Sequence, residues 1–415
     1  MLFIYRILIN IILIISPLII IIRILKKKEH LIRFREKLTF FSKKRSGGKL
    51  IWFHGSSVGE LLSVIPVIER LEKNKSINKI LITSSTLSSS NILEKFNFKK
   101  TIHQFFPIDS NYFSKRFINH WKPSAVFFIE SEIWPNFIFN IKKKNIPLML
   151  LNARITKRSF KKWKKVPRFS KKIFECIDIA LAQNNETKKY LKLLGVKKIK
   201  LLGNLKFTET KIKNKKKINN NLKKFFNSKR LWCASSTHNE EELIVAQAHK
   251  SLKKNYKNLL TVIIPRHIDR VKKISKEIKS LNLAVHLHSS KNKIKKNTEI
   301  YIVDTYGETD TFFKLCKTVF LGGSLVKHGG QNPLEPARLG CKVFHGPHIN
   351  NFKEIYSLLD NKKITVKVNN LNQLALKLNT ILKKDINSIK LIYELKKLGD
   401  KILHSTLLEI KKFIK

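Results

Sequence analysis

Short apolar runs, each closed by a polar or glycine-rich cluster, recur along almost the whole chain. Leu50-Ile-Trp-Phe-His54 leads into Gly55-Ser-Ser-Val-Gly-Glu60, and Lys79 to Thr83 into a Ser/Thr-rich turn. Ser124 to Ile129 leads into Glu130-Ser-Glu-Ile-Trp-Pro135, and Leu148 to Leu151 into Asn152-Ala-Arg154; Ile177 to Ala182 and Ile199 to Leu202 continue the series. Such short runs without polar alternation suit strands buried on both faces, as in a parallel sheet covered by helices. Helical stretches between them, Leu61 to Leu71 among them, complete the strand–helix alternation of an α/β fold. The pattern pauses at the lysine- and asparagine-rich stretch 211–230, which reads as a linker with one short helix. It restarts with Leu231 to Ala234, Leu259 to Ile264, Leu283 to Leu287, Glu299 to Val303 and Val319 to Leu321. Two domains of shared architecture are expected, and 415 residues suffice for two full cores. Leu371 to Lys384 and Ile389 to Lys415 read as terminal helices. In parallel sheets ligands sit at the carboxyl ends of the strands, so the polar clusters are the candidate site.

The densest cluster is Gly322-Gly-Ser-Leu-Val-Lys-His-Gly-Gly-Gln-Asn-Pro-Leu-Glu-Pro-Ala337, which holds four of only 14 glycines. A strand, a glycine turn and a helix start at Pro333 or Leu334 form an anion site if backbone N–H groups of Gly322, Gly323 and Ser324 face outward. Glu335 beside it suits ribose hydroxyls, so the stretch reads as a nucleotide-sugar site. A tight strand-to-helix turn is the plainer alternative. Arg266 and His267 end one strand and can clamp a phosphate. Asp304-Thr-Tyr-Gly-Glu308 ends another, with Gly307 and Glu308 expected beside the Gly322 turn in sheet order.

In the first half, Glu60 falls in the first turn of a helix after a glycine bend. The helix dipole there favours its ionised form, which moves its pKa away from the ideal for a base. Glu130 and Glu132 can bind a cation, orient a sugar or be unrelated. Lys206 lies in Gly203-Asn-Leu-Lys-Phe207. His54, Ser56 and Ser57 invite a hydrolase reading, but Gly55-Ser-Ser-Val-Gly lacks the Gly-x-Ser-x-Gly spacing of a nucleophile elbow. Arg154 to Lys172 interleaves ten basic residues with Phe160, Trp163 and Phe169. That suits either a phosphate-bearing lipid substrate or a solvated helix.

The 84 basic residues outnumber 29 acidic ones for a net charge of +55. Lysine dominates, and isoleucine, asparagine and phenylalanine are also abundant, a composition expected from an AT-rich genome. Attraction to polyanions follows. A nucleic-acid binder would concentrate basic and aromatic residues in one module, whereas here lysine is spread along the chain. Ile7 to Ile22 is uncharged, flanked by Arg6 and Arg23, and followed by Lys26, Lys27, Lys28, Arg33, Arg35 and Lys37. It reads as an uncleaved membrane anchor with the body on the cytoplasmic side, and offers no polar cluster to a site. Four dispersed cysteines read as reduced core thiols, and no metal-ligand spacing appears.

Taken together, His54-Gly-Ser-Ser-Val-Gly-Glu60, Glu130-Ser-Glu-Ile-Trp-Pro-Asn136, Asn152-Ala-Arg154, Gly203-Asn-Leu-Lys-Phe207, Ser236-Thr-His238, Pro265-Arg-His267, Asp304-Thr-Tyr-Gly-Glu308 and the 322–337 stretch resemble the 3-deoxy-D-manno-octulosonic acid (Kdo) transferase family of lipopolysaccharide synthesis. The resemblance implies an α/β GT-B fold of two Rossmann-like domains facing across a cleft. It implies an anchor at 1–25, an acceptor domain at 26–210, the linker at 211–230, a donor domain at 231–390 and a C-terminal helix at 391–415. It further implies Kdo transfer from CMP-Kdo to a lipid A precursor (lipid IVA) at the inner membrane, with inversion and without metal or cofactor. Glu60 matches the family's general base, and Glu130 and Lys206 its transition-state stabilisers. Arg266, His267, Gly307, Glu308, Gly322, Gly323, Ser324, Asn332 and Glu335 match the donor site. Departures are Gln331 for a usual histidine, Glu240 for a usual glycine and Ile268 for a usual proline. Another GT-B sugar-nucleotide transferase or epimerase is the alternative, and a basic nucleic-acid-binding protein a more distant one.

Overall fold

A computed structural model describes residues 1–208, 220–384 and 386–414, apart from the side chain of Asn221. Residues 211–219 of the linker expected at 211–230 lie outside the described residues; the remainder forms the helix Asn220–Asn227 and the start of a strand at Arg230. The chain divides into two units, Met1–Lys213 with Leu398–Lys415, and Asn214–Lys397.

The first unit is built on β1 (Leu50–His54), β2 (Lys79–Ser84), β3 (Thr101–Phe105), β4 (Ala125–Ile129), β5 (Leu148–Ala153), β6 (Ile179–Ala182) and β7 (Ile199–Leu201). All pair in parallel, in the order β3-β2-β1-β4-β5-β6-β7. Every residue of β1, β4 and β5 is buried, which explains their unbroken apolar sequences. Trp52, Phe106, Phe117, Phe128 and Phe137 pack with the flanking helices into one core. The strand missing from the sequence reading is β3. Its inward residues include His103 and Gln104, and Arg33, Ser84 and Ser90 bond the His103 ring.

The second unit repeats the plan with β8 (Arg230–Thr237), β9 (Leu259–Pro265), β10 (Val285–Leu287), β11 (Ile300–Ile302), β12 (Thr318–Leu321), β13 (Lys342–His345) and β14 (Thr365–Lys367), ordered β10-β11-β9-β8-β12-β13-β14. β13 and β14 were not legible as apolar runs because each carries lysine in three or four residues. In each sheet the strand order reverses direction at the centre, between β1 and β4 and between β8 and β12; in the second, β10 also lies outside β11 at the edge. Those reversals open crevices at the carboxyl edge.

Polar residues at many strand ends are helix caps. Ser57, Thr86, Ser110, Thr156 and Asn184 each accept an N–H from the first turn of the following helix. The apolar N-terminal segment is α1 (Leu2–Leu25), long and apolar enough to cross a membrane by length and composition. Both ends are tied to the first unit. Tyr5 and Arg6 bond Asp109, Asn111 and Asn136. At the far end Arg23 pairs with buried Glu29, which also binds Lys37. Tyr5 and Arg6 thereby meet residues at the carboxyl edge of the sheet, where Asp109 follows β3 and Asn136 follows β4.

Candidate active site

At the first reversal, β1 ends at His54 and turns through Gly55 into α2 (Val58–Leu71). Ser57 caps α2, and its hydroxyl donates to Glu60 Oε1 at 2.9 Å while the Ser56 N–H donates to Oε2 at 2.7 Å. This is a variant of the capping box, whose sequence signature is Ser57-x-x-Glu60: the Ser57 hydroxyl takes the Glu60 N–H, and the Glu60 carboxylate reaches the N–H one residue before the cap. From the neighbouring strand β4, Glu132 Oε2 accepts from the Ser56 hydroxyl at 2.7 Å and the Trp134 indole at 2.7 Å, and lies 3.1 Å from His54 Nε2. Ser56 thus holds two carboxylates, its N–H on Glu60 and its hydroxyl on Glu132. With Ser56 and His54 both turned onto Glu132, they form no nucleophile–base pair, and the hydrolase reading fails on geometry.

The expected dominance of the helix dipole over Glu60 is corrected. Burial, then the charge of Glu132, raise its pKa to about 7, against opposing bonds from Ser57 and Ser56. A helix terminus contributes only about 0.3–1 kcal/mol, less than about one pH unit, so desolvation with a like charge outweighs it. Burial also works against Glu132 ionisation, but its donors from His54, Ser56 and Trp134 more than offset it, leaving its pKa below the ordinary value. The two carboxyls are pushed apart in acidity, the pattern expected of an acid–base site.

Glu130 follows β4 with φ +55°, in the left-handed region. Such strain in a non-glycine residue costs on the order of 1–3 kcal/mol and concentrates at functional sites. The Lys206 ammonium is 2.5 Å from Glu130 Oε1. Lys206 is held by a chain of amides. Asn204 Oδ1 accepts its N–H, Asn204 Nδ2 donates to Gln183, Gln183 donates to the Asn152 carbonyl, and Asn152 Oδ1 accepts from Leu205. Glu60, Glu130 and Lys206 therefore all follow carboxyl ends of strands of one sheet. Asn152 stands in one of the polar strand-end clusters of the sequence, whereas nothing in the sequence pattern marks Gln183 as its partner. In the basic stretch, Phe160, Trp163 and Phe169 pack against the core, and Phe160 stacks on Tyr190. Its aromatic residues are thus structural and its lysines mostly exposed.

At the second reversal, β12 ends in Gly322-Gly-Ser324. A Cβ on Gly322 would lie 2.5 Å from the Ser236 carbonyl, so glycine lets the ends of β8 and β12 approach. The expectation that the turn's N–H groups face outward is corrected. Gly323, Ser324 and Leu325 donate to the carboxylate of Glu241, which also accepts from His238 N, while Gly322 N donates to Ser235 O. The anion in this turn is the protein's own. The helix that follows, Leu334–Arg338, has five residues and sums few peptide dipoles. Asn332 Oδ1, one residue before the N-cap Pro333, accepts the N–H of its first residue, Leu334. Glu335 projects from its exposed face with Asp310, Arg338 and Arg266 as charged neighbours.

Arg266 and His267 are exposed just past β9. Gly307 and Glu308 do not adjoin the Gly322 turn in sheet order, because β9 and β8 lie between β11 and β12. Gly307 takes φ +90°, and Glu308 bonds Thr305 and pairs with His288 Nε2 at 2.5 Å. His238 stacks on His328 with ring centres 4.1 Å apart. Burial, then His328, His267, Arg266 and Arg270, lower its pKa to about 4, so it is neutral at physiological pH. Two departures from the family pattern have structural readouts: Gln331 Nε2 lies 3.3 Å from His238 Nε2, and Glu240 adopts φ +76°, where a glycine would be unstrained. Among the described residues, no three His, Cys, Asp or Glu side chains are placed to hold a metal ion.

Residues 32–209 match the family model described as 3-deoxy-D-manno-octulosonic-acid transferase (kdotransferase). The chain is 33% identical over 350 residues to the 3-deoxy-D-manno-octulosonic acid transferase of Rickettsia bellii, covering 84% of this chain and 83% of that one. With the enzyme of the same name from Haemophilus influenzae it shares 31% over 322 residues, 77% and 75% of the two chains. The UDP-GlcNAc 2-epimerase of Neisseria meningitidis is a fold neighbour, with TM-score 0.58 at 15% identity over 87% of this chain and all of that one (100%). That likeness is one of GT-B architecture. On sequence identity over most of both chains, the protein belongs to the 3-deoxy-D-manno-octulosonic acid (Kdo) transferase family.

Proposed function

We propose that this Kdo transferase moves Kdo from CMP-Kdo to a hydroxyl of a lipid A precursor, lipid IVA, with inversion at the anomeric carbon. Glu60 takes the proton of the acceptor hydroxyl as its oxygen bonds to the anomeric carbon. The bond from that carbon to the phosphate oxygen breaks, and CMP leaves with the electron pair. The observation that carries this reading is the grouping of Glu60, Glu130 and Lys206 at the strand reversal of the first unit, with Glu60 poised near neutrality. A general base works best with a pKa close to the working pH. Lys206, restrained by Glu130, supplies positive charge for the transition state.

The donor is assigned to 231–390, with Glu335 on the ribose and Arg266 and His267 on the phosphate. Asn332, Gly322, Gly323 and Ser324 shape the turn, and Gly307 and Glu308 are assigned to the donor from beyond the end of β11, with β9 and β8 between them and the turn in the sheet. The acceptor is assigned to 26–210. The protein is held on the cytoplasmic face of the inner membrane by α1, and its excess of lysine draws it to anionic headgroups. Incubation of a lipid A precursor with CMP-Kdo and the protein, read by mass spectrometry, tests the assignment. A mass gain of one or more Kdo units is expected. Nucleotide release from UDP-sugars but not from CMP-Kdo would assign a different transferase or an epimerase.

A further inference from the structure

Asp109, 2% exposed, spends its carboxylate wholly on the protein. Oδ1 accepts the Phe137 N–H at 2.9 Å, and Oδ2 accepts the Asn136 N–H at 3.1 Å and the Tyr5 hydroxyl at 2.7 Å. The two N–H groups belong to the first turn of the helix Pro135–Lys143 and have no intrahelical acceptor of their own. Asn136 closes the ring: its Nδ2 donates to the Asp109 carbonyl at 2.7 Å, and its Oδ1 accepts from Arg6 Nε at 3.0 Å. Arg6 Nη2 reaches Asn111 Oδ1 at 3.1 Å. Two residues of the first turn of α1 thus grip the start of the helix that leaves the site.

Immediately before that helix stands Trp134, whose indole N–H is on Glu132 Oε2. The same oxygen takes the Ser56 hydroxyl, and the Ser56 N–H is on Glu60. A continuous set of short contacts therefore runs from Tyr5 to the candidate base. Docking an apolar helix by apolar contact alone would be cheaper, because a buried carboxyl is expensive to desolvate. Burial does push the Asp109 carboxyl up, to about 7, despite its bonds from Tyr5, Phe137 and Asn136 and the nearby Arg6 charge.

We propose that Tyr5 and Arg6 are positioning residues for the transfer reaction: through Asp109 and Asn136 they fix the Glu132–Trp134 loop against Ser56 and Glu60, making the apolar helix part of the catalytic scaffold as well as a tether. The proposal rests on Glu60 being the base. Displacing a catalytic group by about 1 Å costs as much as ~100-fold in rate, and a loosened loop should cost less.

The test uses the full-length, membrane-bound protein carrying Tyr5→Phe, Arg6→Lys or Glu60→Gln. Arg6→Lys preserves the charge that attracts anionic lipid but loses the paired geometry on Asn136 and Asn111. Both α1 variants are expected to lower kcat about tenfold, with the KM for CMP-Kdo, the melting temperature and retention on membranes at high salt all unchanged. Wild-type kcat in both overturns the proposal. So does a fall in kcat that tracks a fall in melting temperature or membrane retention in both, which would make the contacts a tether only. Wild-type turnover in Glu60→Gln would remove the base assignment by itself and leave the α1 variants as a separate measurement.

Discussion

Replacing Glu60 by Gln separates chemistry from structure in one side chain. The amide oxygen can still accept the Ser56 N–H, and the Ser57 hydroxyl, now donating to Glu60 Oε1, can turn to accept from the new NH₂. The capping box is kept, and what is lost is a proton acceptor, at about 10²–10⁴-fold in rate. The structure also predicts a change in stability. A carboxyl raised from 4.5 to about 7 binds more protons folded than unfolded between those values. Stability therefore falls as pH rises through that window, and the penalty is complete above it. At ~1.4 kcal/mol per pH unit the ceiling is about 3 kcal/mol, and partial solvent screening reduces it to roughly 1–2 kcal/mol. Glu60→Gln should thus melt higher than wild type at pH 8, with the gain vanishing near pH 4.5. In the wild type, kcat/KM should fall with acid around pH 7 and retain about a tenth at pH 6. Initial rates of Kdo transfer from pH 5.5 to 9, with calorimetric melting on the same samples, give both readouts. Near wild-type transfer by Glu60→Gln, or an acid limb centred near pH 4.5, would refute the reasoning.

Glu335→Ala should weaken CMP-Kdo binding about tenfold or more through loss of bonds worth ~1.5–3 kcal/mol each; titration calorimetry measures it, and unchanged affinity would move the ribose site elsewhere. Activity should survive EDTA, because the Glu130 and Glu132 carboxylates are occupied by Lys206 and by His54, Ser56 and Trp134; an activity lost on chelation and restored by magnesium would contradict this. Glu240→Gly should relieve a positive φ and stabilise the second unit by roughly 0.5–1 kcal/mol net of glycine's entropy. That is a rise of about 1–4 °C, read by thermal unfolding, and a lower melting temperature would refute the strain argument.

Sequence made the sheets legible because buried parallel strands leave continuous apolar runs, and the site legible because each run ended in a polar cluster. What it left out depends on partners far along the chain. β3 was hidden by its polar residues His103 and Gln104, of which the histidine is met by Arg33, Ser84 and Ser90. The acidity of Glu60 is set by its burial and then by the approach of Glu132, and neither is written in the local helix start. The glycine turn was read as empty because the run Glu240-Glu-Glu242 resembles an ordinary acidic helix start. Only the pairing of β8 with β12 brings Glu241 beneath it. Gly307 and Glu308 were misplaced for a related reason: strand order is not written in strand spacing.

The grouping of Leu398–Lys415 with the first unit has a consequence for how the protein is made. Gly399 lies so close to that unit that a Cβ would sit 2.5 Å from the Phe207 carbonyl, and Lys200 pairs with Glu409. A ribosome releases the seven strands of this unit long before it releases the segment that closes them. At about 5–20 residues per second the interval is roughly ten to forty seconds. Through that time α1 is already available to the bilayer, while apolar surface destined for the last helix is uncovered. The nascent chain therefore meets the membrane as an unfinished domain. Expression of the first unit as a fragment requires the C-terminal segment to be supplied, fused behind residue 208 or added in trans.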